Sequence, residues 1–302
     1  MNNVYLRSNH NIKNISLKLF ISLLPLIIAG FYKNGIKLYQ HNLVGIFGLL
    51  KPLLFSLLGF IIGVLVNIIY HYILRKDKDK FLNIVFNSFH PIYGIIIASV
   101  ISINTNILLF SFITFIMFLI SKFFKNTKFN VMAATALIII LIFYLTGNFS
   151  FSNVYEISTV LNLNTLDYLI GMGSGGINTS FVLFILISFL FLASQDYYKK
   201  SIALSSSIVF SSIMIIYSII NNQVGLVLEN IFANGILFCF VFIATETLSS
   251  SYTKSGQIVF GTLVGGLTFL LFLIEPTLAA LGAILIVSLL HLFIDYICLK
   301  KS

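Results

Sequence analysis

Pro52–Leu74, PLLFSLLGFIIGVLVNIIYHYIL, contains no Asp, Glu, Lys or Arg from end to end. Crossing the hydrocarbon of a bilayer takes roughly 20 mostly apolar residues, because there only a helix satisfies its own backbone hydrogen bonds. Runs of the same kind flank it at 15–31, 107–121, 131–147, 178–195, 201–220, 226–246, 257–274 and 277–298. One more, at 84–104, is interrupted by His90-Pro91 and is counted as a span, which brings the expectation to about ten. The whole composition agrees: 59% of residues are apolar and 9% charged, whereas soluble domains carry about 25% charged residues. The chain reads as an all-α, polytopic integral membrane protein forming a single transmembrane domain over 1–302, and not as a soluble globule.

The formal net charge of +9 could suggest a nucleic-acid partner, but basic clusters beside apolar runs are what membrane orientation requires. No nucleic acid is expected; the medium is lipid. With ten spans and the N-terminus inside, fifteen of the 18 Lys and Arg fall in cytoplasmic segments, among them Arg75–Lys80, Lys122–Lys128, Lys199-Lys200 and Lys254. Only Lys33, Lys37 and Lys51 fall outside, and removing the doubtful span would scramble this asymmetry. The expected location is the inner, cytoplasmic membrane, with both termini cytoplasmic.

Ten spans divide into halves, 1–147 and 178–302, joined by an outer loop over 148–177. Five spans per half would place the halves in opposite orientations, as in inverted-repeat membrane folds. The joining loop carries no Lys or Arg but has Glu156, Asp167 and four glycines, and a long loop in a chain with few loops is usually functional. Its end, Gly171 to Ser180, opens span six. Gly173, Gly175 and Gly176 let backbone approach a ligand, and with Thr179 and Ser180 at a helix N-terminus they could hold an anion such as a phosphate, or simply make a flexible turn.

Glu229, Glu246 and Asp295 fall in or beside spans eight and ten. Carboxylates at that depth are costly and mark an ion pathway by default, an interfacial or protonated side chain being the plain alternative. The five histidines show no metal-ligand spacing and read as packing residues. Cys239 and Cys298 define neither a disulfide framework nor a metal site, and no P-loop, G-x-S-x-G or H-E-x-x-H occurs.

Ala244–Gly261, ATETLSSSYTKSGQIVFG, resembles without a gap the A-T-D-P-V-T-S-P-x-T-x-x-G-x-x-x-x-G segment of the D subunit of Rnf electron-transport complexes, a family related to the B subunit of the sodium-pumping NADH:quinone reductase. Leu289–Asp295 is similar to that family's closing L-L-x-P-x-x-D, and Ser8-Asn9-His10 to its N-terminal S-P-H. Lys122–Ala134, with Phe129-Asn130, looks like its F-G-G-x-G-x-N-x-F-N-P-A-x-A stretch, and Gly173–Ser180 like its G-x-x-G-E-T-S helix opening with one residue inserted.

The resemblance implies a membrane subunit that sits with other membrane subunits of an Rnf-type, ion-translocating complex and holds flavin mononucleotide for electron transfer across the membrane. It also implies a phosphoester from the flavin to Thr159, the counterpart of the Thr in the family's S-G-A-T, although Glu156-Ile157-Ser158 replaces the small residues there. Asn178 stands where the family has Glu, and Glu246 where it has Asp. The rival expectation is a small-molecule or ion transporter or channel that keeps the scaffold without the redox role; a third is a structural anchor for partner subunits.

Overall fold

The computed structural model describes residues 12–75, 88–123, 129–146, 165–171 and 173–300, and every regular element among them is helical. A helix stands at each position that the sequence marks as apolar. In the N-terminal half these are α1 (Ile12–Phe31), α2 (Ile46–Ile68), α3 (His90–Val100), α4 (Ile107–Phe123) and α5 (Val131–Leu145). After the short α6 (Thr165–Leu169) come α7 (Val182–Ala193), α8 (Lys200–Ile220), α9 (Val227–Phe232), α10 (Ile236–Phe238), α11 (Lys254–Phe272), α12 (Pro276–Leu289) and α13 (His291–Lys300). Wider π turns extend α1 through Tyr32–Lys37, α2 through Ile69–Arg75 and α10 through Cys239–Ile243.

Among the described residues, Ile12–Gln40, Ile46–Tyr72, Lys200–Ile220 and Lys254–Phe272 are long and apolar enough to cross a membrane. α12 and α13, bent by 54° at their junction, would together make one more. The remaining apolar helices are shorter, at 10–17 residues, so length alone does not make each of them a span.

Burial separates a centre from a rim. α3 is buried at every residue from Pro91 to Val100, and the π turn of α10 is buried throughout. By contrast α4, α7 and α8 turn Leu108, Phe112, Leu190, Ile208 and Ile216 outward. Such an apolar rim would drive aggregation in water, whereas lipid tails are as apolar as the side chains themselves. Among the described residues α3 and the π turn of α10 therefore form the core, and α4, α7 and α8 belong to the apolar rim.

Glycine sets the two closest helix contacts. A Cβ on Gly59 of α2 would lie 2.2 Å from the Gly94 carbonyl oxygen of α3, and one on Gly63 would lie 2.5 Å from the His90 carbonyl oxygen. In α11, Gly261 and Gly265 bring backbone equally close to Ile202 and Ser206 of α8. Both pairs are small residues four apart, the spacing that lets helix backbones touch where no hydrophobic effect drives them together.

Among the described helices, α1 packs on α7, α5 on α12, and α3 on the π turn of α10, contacts that join the halves of the chain. Asn130 ties α5 both to α12 and to the end of the π turn of α10. Its side chain caps α5 by accepting from the Ala133 N–H at 2.9 Å, while its Nδ2 donates to the Ile243 carbonyl at 2.8 Å. Its own N–H donates to Ser288 Oγ of α12 at 3.0 Å.

Candidate functional site

α3 is the spine of the site. Eleven residues long, it spans only about 16 Å at 1.5 Å per residue, and its end at Val100-Ile101 is buried, so the backbone groups there need partners within the protein. The glycine-rich segment supplies them. The Ile177 N–H donates to the Ile101 carbonyl and the Asn178 N–H to the Ser99 carbonyl, both at 3.0 Å, and Asn178 Nδ2 adds a bond to Ser99 Oγ. From α1, Lys33 Nζ donates to the Gly173 carbonyl and Asn34 Nδ2 to the Ile177 carbonyl, each at 2.7 Å. The Asn234 N–H, in the break between α9 and α10, donates to the Ser174 carbonyl at 2.9 Å.

Two of the glycines are required by close approach within the protein itself. A Cβ on Gly176 would sit 2.3 Å from the Val100 carbonyl oxygen, and one on Gly30 of α1 would sit 2.0 Å from Asn178 Oδ1. Gly235, at φ +68°, turns the chain from α9 into α10 against Thr179. Gly173, Gly175, Gly176, Thr179 and Ser180 thus come together where both interrupted helices break, which their sequence position alone did not reveal. The N–H groups of Ile177, Asn178 and Thr179 are already donated within the chain, so they are not open to an anion. Ser180 Oγ is buried without a hydrogen-bond partner. Thr159 lies outside the described residues.

The other end of α3 carries a different chemistry. Tyr93, nearly two turns before Ser99, lines the same cavity as the buried carboxylate of Glu246, which accepts from Ser249 Oγ. That cavity, of about 30 Å³, is lined in part by Met132, Tyr197, Tyr198 and Phe242, with room for about one or two water molecules. Lys199, only 8% exposed, reaches the loop after α10. Its ammonium donates to the carbonyls of Thr247 and Ser250 at 3.0 and 2.9 Å and to Ser250 Oγ at 2.8 Å, and lies 4.5 Å from the centre of the Tyr252 ring. Burial pushes Lys199 down from 10.5 to about 8, with the charges of Asp295 and then Glu246 opposing the shift.

Asp295 behaves differently from Glu246. Its carboxylate is taken up by Ser251 Oγ, by the N–H groups of Tyr252 and Thr253 at 3.0 and 3.2 Å, and by Thr253 Oγ1 at 3.0 Å. It clamps the loop between α10 and α11 onto α13. Glu229 is half-buried in α9, which packs on α6 at the glycine-rich end, so the three carboxylates do not form one group. Tyr93, Ser99 and the roles of Asn130 and Lys199 escaped the sequence reading, which named Asn130 only in a stretch of family resemblance. Only Asn130 carried a signal, as the capping residue type ahead of an apolar run.

Interrupted helices meeting at a buried centre, inside a lipid-compatible rim, define a polytopic helical membrane protein. The chain belongs to the NQR2, RnfD, RnfE family, whose profile matches residues 1–302, a family of electron-transport complex subunits. No curated protein matches it.

Proposed function

We propose that this chain is the membrane subunit of an Rnf-type ion-translocating electron-transport complex, holding a flavin for electron transfer across the membrane, with ten spans in two inverted sets of five. The observation that carries the reading is the meeting of α3 and α10 in a chain of this family: two interrupted helices share the glycine-rich segment at one end and a buried carboxylate at the other. Inverted-repeat membrane proteins place their sites at such midplane breaks. The contacts of α1 with α7, α3 with α10 and α5 with α12 each pair a helix with the one that five spans per half makes its counterpart. The basic end, with Lys18, Lys199 and Lys254, is then cytoplasmic, and a Cys introduced at position 154 in a chain lacking Cys239 and Cys298 is labelled without permeabilising the membrane. Labelling only after permeabilisation would reverse the orientation.

Flavin mononucleotide needs apolar walls for its ring and donors for its phosphate. Next to Gly171 a groove of about 370 Å³ is lined by Tyr32, Phe181 and Phe184 together with Lys33 and Lys37. These residues fit the group: the aromatic side chains can cover the ring and the ammonium groups can meet the phosphate. A flavin held there supplies electron transfer in one-electron steps, and the surrounding chain fixes its depth and excludes water. A transporter that has lost the redox role is the second reading, favoured by the engaged N–H groups of Ile177 to Thr179 and by the absence of S-G-A-T.

Co-expression with a flavin transferase separates them. In-gel fluorescence of the denatured wild type that vanishes in Thr159→Ala supports covalent flavin at that residue. Flavin released only on denaturation indicates non-covalent binding, and no flavin in the purified chain with its partner subunits favours the transporter.

A further inference from the structure

The loop that follows α10 is folded around a positive charge. Three oxygens, those of the Thr247 and Ser250 carbonyls and the Ser250 hydroxyl, converge on Lys199 Nζ at 2.8–3.0 Å, and the Tyr252 ring covers it at 4.5 Å. The carboxylates of Glu246 and Asp295 lie near enough to act on the same charge. This place comes directly after a short buried helix, whose C-terminal end presents carbonyls and the negative end of its dipole. Carbonyls, a hydroxyl and an aromatic face make up a donor set for a weakly hydrated monovalent cation. An ammonium and a potassium ion are close in size, so oxygens that converge on one can also meet the other, with water completing the shell of the free ion. The lysine enters from the turn between α7 and α8, nearly 50 residues away in sequence, so this is a tertiary contact and not a local turn.

We infer that the loop Thr247–Tyr252 is a monovalent-cation site whose occupant in this chain is the Lys199 ammonium, a tethered cation standing where a free one would bind. The lysine supplies the donors that the three oxygens accept, and it blocks the site to any ion that reaches Glu246 from the neighbouring cavity. A free ion would then have to displace the side chain to go further. That last consequence rests on the ion-translocating reading above; the existence of the site does not.

Lys199→Met removes the charge and keeps most of the volume. The variant is made in a potassium-based cell-free reaction with lipid nanodiscs, so that a free cation is present as the chain folds, and is then exchanged into sodium, potassium, ammonium or choline chloride at equal ionic strength. Its unfolding midpoint is expected to rise by a few degrees, saturably, in potassium or ammonium over choline, while the wild type is indifferent to the salt. Adding Ser250→Ala, which deletes one of the oxygens, is expected to weaken that response. A Lys199→Met midpoint equal in all four salts overturns the inference, because a lysine that merely bridges loops leaves no preference for one cation. Failure of the variant to fold in the potassium reaction overturns it as well. Neither measurement reads flavin or electron transfer, so a failure here leaves the redox reading standing, and the reverse.

Discussion

The two ends of α3 have neighbours of different kinds. At Ser99–Ile101 the freed carbonyls are met by backbone N–H groups of Ile177 and Asn178, and glycine removes every side chain that would hold the strands apart. At Tyr93, two turns away, the neighbours are side chains: a carboxylate, hydroxyls, an ammonium and a small cavity. The first end is a closed seam with one geometry. The second contains groups that can gain or lose a proton or a partner, which the seam does not.

The contrast breaks most sharply at Gly176. Gly176→Val forces a Cβ into the Val100 carbonyl, and we expect the upper end of the roughly 1–3 kcal/mol that overpacking costs, read as a lowered unfolding midpoint or loss of a monodisperse species in detergent. A variant as stable as the wild type would show the seam to be open enough for a ligand after all. Asn130→Ala should cost about 2 kcal/mol, since it removes a helix cap and the bond to the Ile243 carbonyl.

The carboxylates sharpen the comparison further. Asp295→Asn should lower stability by about 1.5–2 kcal/mol, because the acceptor of the loop clamp loses its charge. Glu246→Gln, with fewer bonds to lose, should change stability by under about 1 kcal/mol while altering the ion dependence of electron transfer in the assembled complex. Equal thermal losses in the two variants would mean that Glu246 is a structural clamp as well.

The smallest effect is that of pH. Lys199 gives up its proton near 8 in the fold and near 10.5 in the unfolded chain. Between those values the unfolded state binds the extra proton, so this group's contribution to stability rises with pH through that window and is flat below it. The difference between wild type and Lys199→Met, followed by unfolding from pH 7 to 10.5, isolates it; parallel curves would mean that Lys199 titrates as an exposed lysine.

Hydropathy made the helices legible one by one, because the need to satisfy backbone in lipid leaves few alternatives to a long apolar helix. It could not show where helices stop short. The break at Asn234-Gly235 lies inside a run that reads as continuous, since composition on either side is the same and the partner that permits the break, Ser174, is 60 residues upstream. The glycines of 171–180 were visible as a place of close approach, but glycine gives the same signal whether a ligand or another stretch of chain comes near. Lys199 was counted as a marker of sidedness, and its burial follows from the loop 247–252, which no local pattern links to it.

The seam also sets a schedule for synthesis. The carbonyls of Ser99 and Ile101 have no permanent partner until Ile177 and Asn178 have been made, and at about 5–20 residues per second that wait is roughly 4 to 15 s. Until then α3 cannot settle in hydrocarbon with its end bare, so during insertion it must be sheltered by the translocation machinery or by water. Truncated nascent chains ending before the glycine-rich segment should therefore leave a Cys at position 101 accessible to a soluble thiol reagent, and chains that extend past α7 should protect it.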